Sequence, residues 1–174
     1  MGLAYKNLDA ETRALMTEEI DMDRQDGSMY VSNYLNERGA ELWPQLTSDA
    51  AKSGTDDSLA QSLSAQRLLK SQVERRKPTG GTTMAKVPYT AANTLAEAQF
   101  NMYYMRALAR RAIAAGTQLE IYRAKEVSYA RPESVQLIGS KFDPQVLLDE
   151  LRHTKGVDPK IPMPLPNSGI CVSL

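Results

Sequence analysis

The sequence has 174 residues, with 21 Lys or Arg against 21 Asp or Glu, so its formal net charge is zero. A chain of this length can bury a core without disulfide or metal cross-links, and no apolar run reaches the roughly 18 residues of a membrane span. One histidine and one cysteine exclude an internal disulfide and a zinc centre built on these ligands, and the lone cysteine favours a reducing compartment.

The first third of the chain predicts three short helices. Asp9 is a good helix N-cap, and the partial apolar stripe behind it indicates a helix over 10–22. A helical pattern resumes over 35–42. Pro44 then interrupts it, and proline is best accommodated in a first helical turn. We therefore expect a bend at Trp43 and a separate short helix after it.

The middle of the chain predicts a long helix, a loop and a central helix. A helix is predicted over 55–77. Thr55 offers a hydroxyl cap, Asp56 and Asp57 place carboxylates in the first turn, and the basic residues 75–77 suit the negative end of the helix dipole. The segment 78–83, rich in glycine and threonine, is a loop, and 84–89 is extended. The densest apolar run lies over 91–115. It predicts the central helix, because apolar residues surround most of its circumference.

The last third predicts a strand, two helices and a tail. The strand covers 118–129, and helices follow over 131–139 and 144–154, the second with Asp-Pro at its start. Prolines dominate after residue 157, which indicates an extended, polyproline-like segment. The last five residues resemble a short apolar strand.

Together these elements predict a mainly α fold. We expect a helical domain of about five to six helices over 1–157, with minor β or extended segments, and an extended Pro-rich C-terminal arm over 158–174. Within the arm, Ile170, Val172 and Leu174 alternate as one face of an edge-pairing strand would. Because an exposed apolar strand promotes aggregation, it needs a cover, and the simplest cover is an adjacent chain.

The sequence contains no recognisable catalytic or ligand-binding motif. His153, expected on the last turn of a helix, and Cys171, expected in the tail, lack the local partners that nucleophilic catalysis needs. Gly80 and Gly81 lack the GKS or GKT ending of a phosphate-binding loop. We therefore predict a protein that is not an enzyme and that has no cofactor, metal or small-molecule substrate.

Acidic and basic residues are concentrated in different thirds of the chain. Residues 1–65 contain 5 Lys or Arg and 12 Asp or Glu, a net of −7, whereas residues 66–131 contain 12 and 4, a net of +8. One interpretation is that these two thirds face each other, within one subunit or between subunits. The other is that the basic third contacts a polyanion. The first is favoured because the two net charges nearly cancel.

The basic residues support an alternative function in nucleic-acid binding or regulation, through the predicted helices of residues 66–111. The candidate residues are Arg75, Arg76, Lys77, Arg106, Arg110 and Arg111. Arginine next to Tyr103 and Tyr104 can bind nucleic acid by phosphate contact and stacking. A neutral chain lacks the excess positive charge typical of such proteins, so this alternative comes second.

The favoured function is that of a non-enzymatic structural component of a larger protein assembly, acting through subunit contacts. Capsid, neck or tail-connector proteins of a virion fit this interpretation, as do other homo-oligomers. The expected location is the cytoplasm or a virion, without membrane contact. The residues expected to bind a partner are Ile170, Val172 and Leu174 of the arm and Trp43, whose large apolar surface belongs in a core or an interface.

Overall fold

A central helix, α4 (Ala91–Ala115), lies in the middle of the fold. The computed structural model describes residues 2–127, 132–161 and 168–174. Every residue from 99 to 109 is buried, including Phe100, Tyr104 and Leu108 at no more than 1% exposure, so these three turns of α4 are enclosed on all sides. Gly116 follows the helix at φ 64, a left-handed conformation that glycine adopts without strain. The predicted central helix and its end are therefore confirmed.

The described residues contain five further helices. They are α1 (Ala10–Gln25), α2 (Glu37–Ser53), α3 (Asp56–Ala65), α5 (Pro132–Leu137) and α6 (Pro144–Thr154). Helices α1, α3 and α6 pack directly against α4, and α2 packs mainly against α1 and α3. The mainly helical fold predicted from the sequence is confirmed.

Two small antiparallel sheets accompany the helices. The strands are β1 (Gln72–Arg76), β2 (Thr82–Lys86), β3 (Leu119–Arg123), β4 (Lys141–Phe142) and β5 (Ile170–Ser173). Strands β1 and β2 form a hairpin, whereas β3 lies between β4 and β5 in a three-stranded sheet. This second sheet packs on α4 through β3 and β5. The strand predicted over 118–129 is shorter in the structure, where β3 ends at Arg123.

Local capping explains where the helices begin. The Asp9 carboxylate accepts a hydrogen bond from the backbone N–H of Thr12 at 2.9 Å. Thr55 and Ser58 form a reciprocal capping box at the start of α3. The Asp143 carboxylate caps α6 by accepting from the N–H groups of Gln145 and Val146, and proline occupies the first turn. These helix starts were predicted from residue type alone, because each capping side chain bonds a backbone N–H only two or three residues further along the chain.

Helix α2 is continuous through Pro44, so the prediction of a separate short helix after Trp43 is wrong. A proline inside a helix removes one backbone hydrogen bond and favours a kink. Trp43, Thr47 and Ala51 are nonetheless buried on one face of α2, on both sides of the proline. The indole Nε1 of Trp43 also donates to the Tyr30 carbonyl at 2.9 Å. Tertiary packing therefore outweighs the local effect of the proline.

Helix α3 is shorter than the helix predicted over 55–77. The backbone reverses at Arg67, which has φ 53, and Leu68 is then fully buried. The Leu68 carbonyl accepts from the N–H of Asn36 at 3.0 Å. It also lies so close to Gly39 of α2 that a Cβ on that glycine would collide with it. This packing against α2 ends the helix, although the sequence beyond it remains locally compatible with helix.

The C-terminal residues belong to the chain's own sheet. Strand β5 pairs antiparallel with β3, and Ile170 and Val172 are 1% and 0% exposed. The N–H of Leu174 donates to the Asn7 side chain at 3.2 Å. The expectation that an adjacent chain covers the apolar end is therefore wrong for Ile170 and Val172, because β3 and α4 of the same chain already cover them. The proline-rich part of the predicted arm falls mainly on residues 162–167, which lie outside the described residues.

Candidate interaction surface

The β1–β2 hairpin stands apart from the rest of the described fold. Its strands pair with each other and make few contacts with any other helix or strand. Val73 is the only buried residue of the two strands. Gly80 and Gly81 form the turn at φ 89 and φ 78, where other residues would be strained. Within the described residues both outer strand edges are unpaired.

A cluster of exposed basic residues lies on this hairpin. Arg76 and Lys77 are exposed, and Arg75 Nη2 donates to the hydroxyl of Tyr34 at 3.0 Å. Residues 70–86, here called the basic hairpin, contain 5 Lys or Arg and 1 Asp or Glu, a net of +4. The rest of the chain, the acidic body, contains 16 and 20, a net of −4. The expectation that residues 75–77 end a helix is wrong, because they lie on β1 and its turn.

Arg106 of α4 is buried among acidic side chains of α1. Its guanidinium is 1% exposed, with Nε 2.7 Å from Glu19 Oε2 and Nη1 2.7 Å from Asp23 Oδ2. Arg152 and Lys155, at the end of α6, bind the same two carboxylates at 2.6 and 2.8 Å. This ionic cluster joins α1, α4 and α6. It removes Arg106 from the candidate nucleic-acid-binding residues, because its burial leaves no surface for a phosphate or a base.

The cations of the ionic cluster control the pKa of both carboxyl groups. Burial alone would raise the pKa of Glu19, but hydrogen bonds from Arg152 and the charge of Arg106 lower it below its ordinary value. Burial also opposes ionisation of Asp23, and Arg106 and Lys155 again lower the pKa. The pKa of Arg106 is raised, since the two carboxylates outweigh the effect of its burial. These carboxyl groups and Arg106 are therefore charged at neutral pH.

The two other arginines of α4 also pair with α1 and the residue that caps it. Arg110 Nη2 lies 2.8 Å from the carboxylate of Glu18. Arg111 binds Asp9 and Glu11, each at 2.8 Å. The interpretation in which the acidic and basic thirds face each other within one subunit is therefore confirmed for the arginines of α4. Arg110 and Arg111 retain limited exposure, and their charges are compensated locally.

Most of the residues expected to contact a partner lie inside the chain. Trp43 is fully buried, so of its two expected places, a core or an interface, it occupies the core, and Ile170 and Val172 are covered by the core as well. Leu174 alone among these four residues keeps substantial exposure, at 45%. The burial of Trp43 follows from its position on the inner face of α2.

The single histidine and the single cysteine occupy different environments. His153 is exposed near the end of α6, whereas Cys171 is fully buried, and burial raises the pKa of its thiol well above the ordinary value. Among the described residues, no group of three or more His, Cys, Asp or Glu side chains could hold a metal ion. No helix in the described part of the chain combines the length and apolar character of a membrane span.

A cavity of about 450 Å³ opens at the base of the basic hairpin. Tyr34, the residue that accepts from Arg75, forms part of its wall, together with the first turns of α4 and the segment 156–159. Leu95 and Ala98 make the α4 side of the wall largely apolar. The cavity therefore adjoins the hairpin and is lined for an apolar occupant.

Three exposed apolar side chains lie at or next to this cavity. Tyr89, two residues before the lining residue Ala91, is 98% exposed. Val31 lies between two lining residues at 47% exposure, and Val157 lines the cavity itself at 45%. We call the cavity and these three side chains the cavity face. Tyr89 was not predicted as a contact residue from the sequence, although a tyrosine between Pro88 and the start of a helix is a recognisable signal of an exposed aromatic side chain.

The basic hairpin and the cavity face meet at Tyr34, and together they form the candidate interaction surface. No protein-family model, curated protein or solved structure matches this chain. A functional inference therefore rests on these two features of the chain's own surface.

Proposed function

We propose that this protein is a non-enzymatic structural component of a larger protein assembly and acts through subunit contacts. The observation that carries the proposal is the β1–β2 hairpin, with two unpaired edges and few contacts to the body. An isolated hairpin is marginally stable in water, and a second strand or surface that covers it adds stability. The assembly is either a homo-oligomer or part of a virion, of the capsid, neck or tail-connector type, and its location is the cytoplasm or a virion.

The distribution of charge supports a protein as the partner. The basic hairpin has a net charge of +4 and the acidic body −4, so the hairpin of one copy complements the body of another. Nucleic-acid phosphates would be repelled by the same acidic body. The charge pattern thus favours a protein surface, a second copy included, over a polyanion.

Removing the hairpin tests the proposal. Val73 and Ala85 face each other across the two strands, so a short Gly-Ser linker in place of residues 74–84 closes the gap and keeps the buried valine. We expect the full chain to form a larger oligomer by light scattering than the shortened chain, which should be a dimer or a monomer. Circular dichroism should show the helical content of the body unchanged.

A matched control replaces only the turn. A second Gly-containing turn of equal length in place of residues 78–81 keeps both strands and should keep the oligomer. An oligomer of unchanged size after removal of 74–84 would contradict the role of the hairpin. A full chain that is monomeric at tens of micromolar would leave only assembly with other proteins.

Nucleic-acid binding through the hairpin is a second candidate, supported by the exposure of Arg76, Lys77 and Lys86 on one two-stranded ribbon. A ribbon of this kind fits the DNA major groove. Binding should then weaken steeply as salt is added, because counterions are released from the phosphates. Arg76→Glu with Lys77→Glu should abolish it, and Lys52→Glu on α2 is the control. The absence of any retention on DNA or RNA at low salt would contradict this candidate.

A further inference from the structure

Tyr89 is 98% exposed, although its backbone lies in an ordered turn. The N–H of Ala91 donates to the Pro88 carbonyl at 3.0 Å, so a turn fixes the backbone on both sides of the tyrosine. Its backbone is therefore anchored to the start of α4. A large aromatic side chain on an ordered backbone loses little entropy when it binds, which is why tyrosine is common at the energetic centre of interfaces.

The cavity beside Tyr89 contains an unsatisfied hydrogen-bond acceptor in its wall. Gln99 lines the cavity and is 2% exposed, and its Nε2 donates to the Lys155 carbonyl at 3.3 Å. Its Oε1 is buried without a hydrogen-bond partner. A buried acceptor without a donor is costly, and a side-chain hydroxyl inserted into the cavity would supply the donor while Nε2 keeps its bond to the Lys155 carbonyl. The apolar wall at Leu95 and Ala98 suits an aromatic ring.

A projecting side chain next to a matching cavity on the same face is self-complementary. In a two-fold dimer the same patch of both copies forms the contact, so when residue i of one copy touches residue j of the other, j of the first copy also touches i of the second. The projecting side chain and the cavity must therefore lie on a single patch. Tyr89 and the cavity lie on one patch, since Ala91 belongs to the cavity wall. The basic hairpin borders the patch at Tyr34, so pairing the two faces would bring each hairpin towards the acidic body of the other copy.

We propose that two copies of this chain form a two-fold dimer through the cavity face, with Tyr89 of each copy seated in the cavity of the other and its hydroxyl donating to Gln99 Oε1. This inference rests on the proposed function in subunit contacts and names the partner as a second copy. Val31 and Val157 surround the inserted ring and are covered by the dimer. The dimer is thus the unit from which the larger assembly is built.

Two substitutions on opposite sides of the contact test the dimer. Tyr89→Ala removes the inserted ring, and Ala98→Phe fills the cavity from the half-buried wall of α4. Each should weaken self-association of the full chain by roughly tenfold or more, measured by sedimentation velocity over a concentration series. Val146→Ala, at a 48% exposed position of α6, is the matched control and should leave the association unchanged. Because Tyr89 is exposed, its substitution does not endanger folding.

Cross-linking between two single-cysteine additions tests the geometry. Thr90→Cys lies next to the tyrosine and keeps it, and Val157→Cys lies at the cavity. A short bifunctional maleimide should link a mixture of the two variants into a heterodimer with a higher yield than either variant alone gives. The natural Cys171 is fully buried and does not compete.

The outcomes separate this inference from the proposed function. A chain whose oligomer is unaffected by both Tyr89→Ala and Ala98→Phe overturns the dimer but leaves a structural function in place. A chain that loses its dimer with Tyr89→Ala, while the 74–84 replacement still dimerises, supports the dimer and removes the hairpin from the contact. A chain that is monomeric at every concentration overturns the dimer, which is also the result if another protein or a small molecule occupies the cavity.

Discussion

A single residue, Arg106, lies at the point where helices α1, α4 and α6 meet. The guanidinium binds Glu19 and Asp23 of α1, and α6 binds the same carboxylates from the other side. A buried ion pair adds little net stability by itself, but removal of one partner leaves the other charge buried without compensation. Replacement of Arg106 by a neutral residue should therefore be strongly destabilising.

We expect Arg106→Met to lower the free energy of unfolding by about 3–5 kcal/mol, because the two carboxylates of α1 lose their central cation. Urea denaturation followed by circular dichroism measures the change. Arg38→Met, at an exposed position of α2, is the control and should change stability little. Equal stability of the two variants would show that Arg152 and Lys155 suffice to compensate the carboxylates.

The lowered pKa values of Glu19 and Asp23 predict how stability depends on pH. Both carboxyl groups have a lower pKa in the folded chain than in the unfolded chain, so the unfolded chain binds more protons in acid. Their contribution is present above the ordinary carboxyl pKa of about 4 and is lost as the pH falls through the folded values. Asp56 acts in the opposite direction, since burial raises its pKa.

We therefore expect the thermal midpoint to fall as the pH decreases below about 4. Asp23→Asn should lower the midpoint at neutral pH and make its dependence on acid shallower, because one of the responsible groups no longer titrates. Thermal denaturation of both proteins across the acid range measures the difference. Identical slopes would assign the acid sensitivity to other groups.

Among the elements, α4 holds the core together because it is buried on nearly all sides. Leu108 is fully buried in this helix, whereas Ile113, one turn and a half further on, is 39% exposed. Leu108→Ala should destabilise the protein by about 2–5 kcal/mol, from lost apolar contact and the cavity that remains. Ile113→Ala on the same helix should cost much less. Comparable losses at the two positions would mean that the neighbours of Leu108 collapse into the space.

The hairpin shows how far local pattern can mislead at this scale. Residues 55–77 have a cap, a carboxylate-rich start and a basic end, which are the signals of one helix, but the helix ends at Ala65. The glycine pair at 80 and 81, between segments able to extend, is the signal for a hairpin. This hairpin signal competes with the helix signals of residues 55–77. The packing of Leu68 against Gly39 of α2 favours the hairpin. No local property of residues 66–77 reveals that contact.

At the scale of the whole molecule, β5 ties the C-terminus to the core. Removal of residues 168–174 should destabilise the chain severely, because burial of Ile170 and Val172 together contributes about 3–6 kcal/mol. That is a large share of the stability of an ordinary domain. Removal of Leu174 alone, which is half exposed, is the control and should have a small effect. A shortened chain with an unchanged cooperative transition would show that the strand is dispensable.

Sequence alone determined the features that depend on neighbouring residues. Capping residues predicted where three helices begin, namely at Asp9, Thr55 and Asp143. Periodicity predicted the extent of α4, and a glycine predicted its end at Gly116. Both signals act within one or two helical turns. The opposite charges of the first two thirds also predicted that they face each other. These are properties of short segments or of summed composition, and they need no knowledge of the path of the chain.

Only the tertiary structure decided which residues are buried and which remain available to a partner. Arg75 and Arg106 are alike in sequence, yet one lies on an exposed hairpin and the other is enclosed by two carboxylates. The pairing of Val172 with Ile121 joins segments about fifty residues apart, and it turns an expected exposed tail into core. Such contacts are decided by the free energy of the whole packed chain, in which burial between distant segments outweighs local preference.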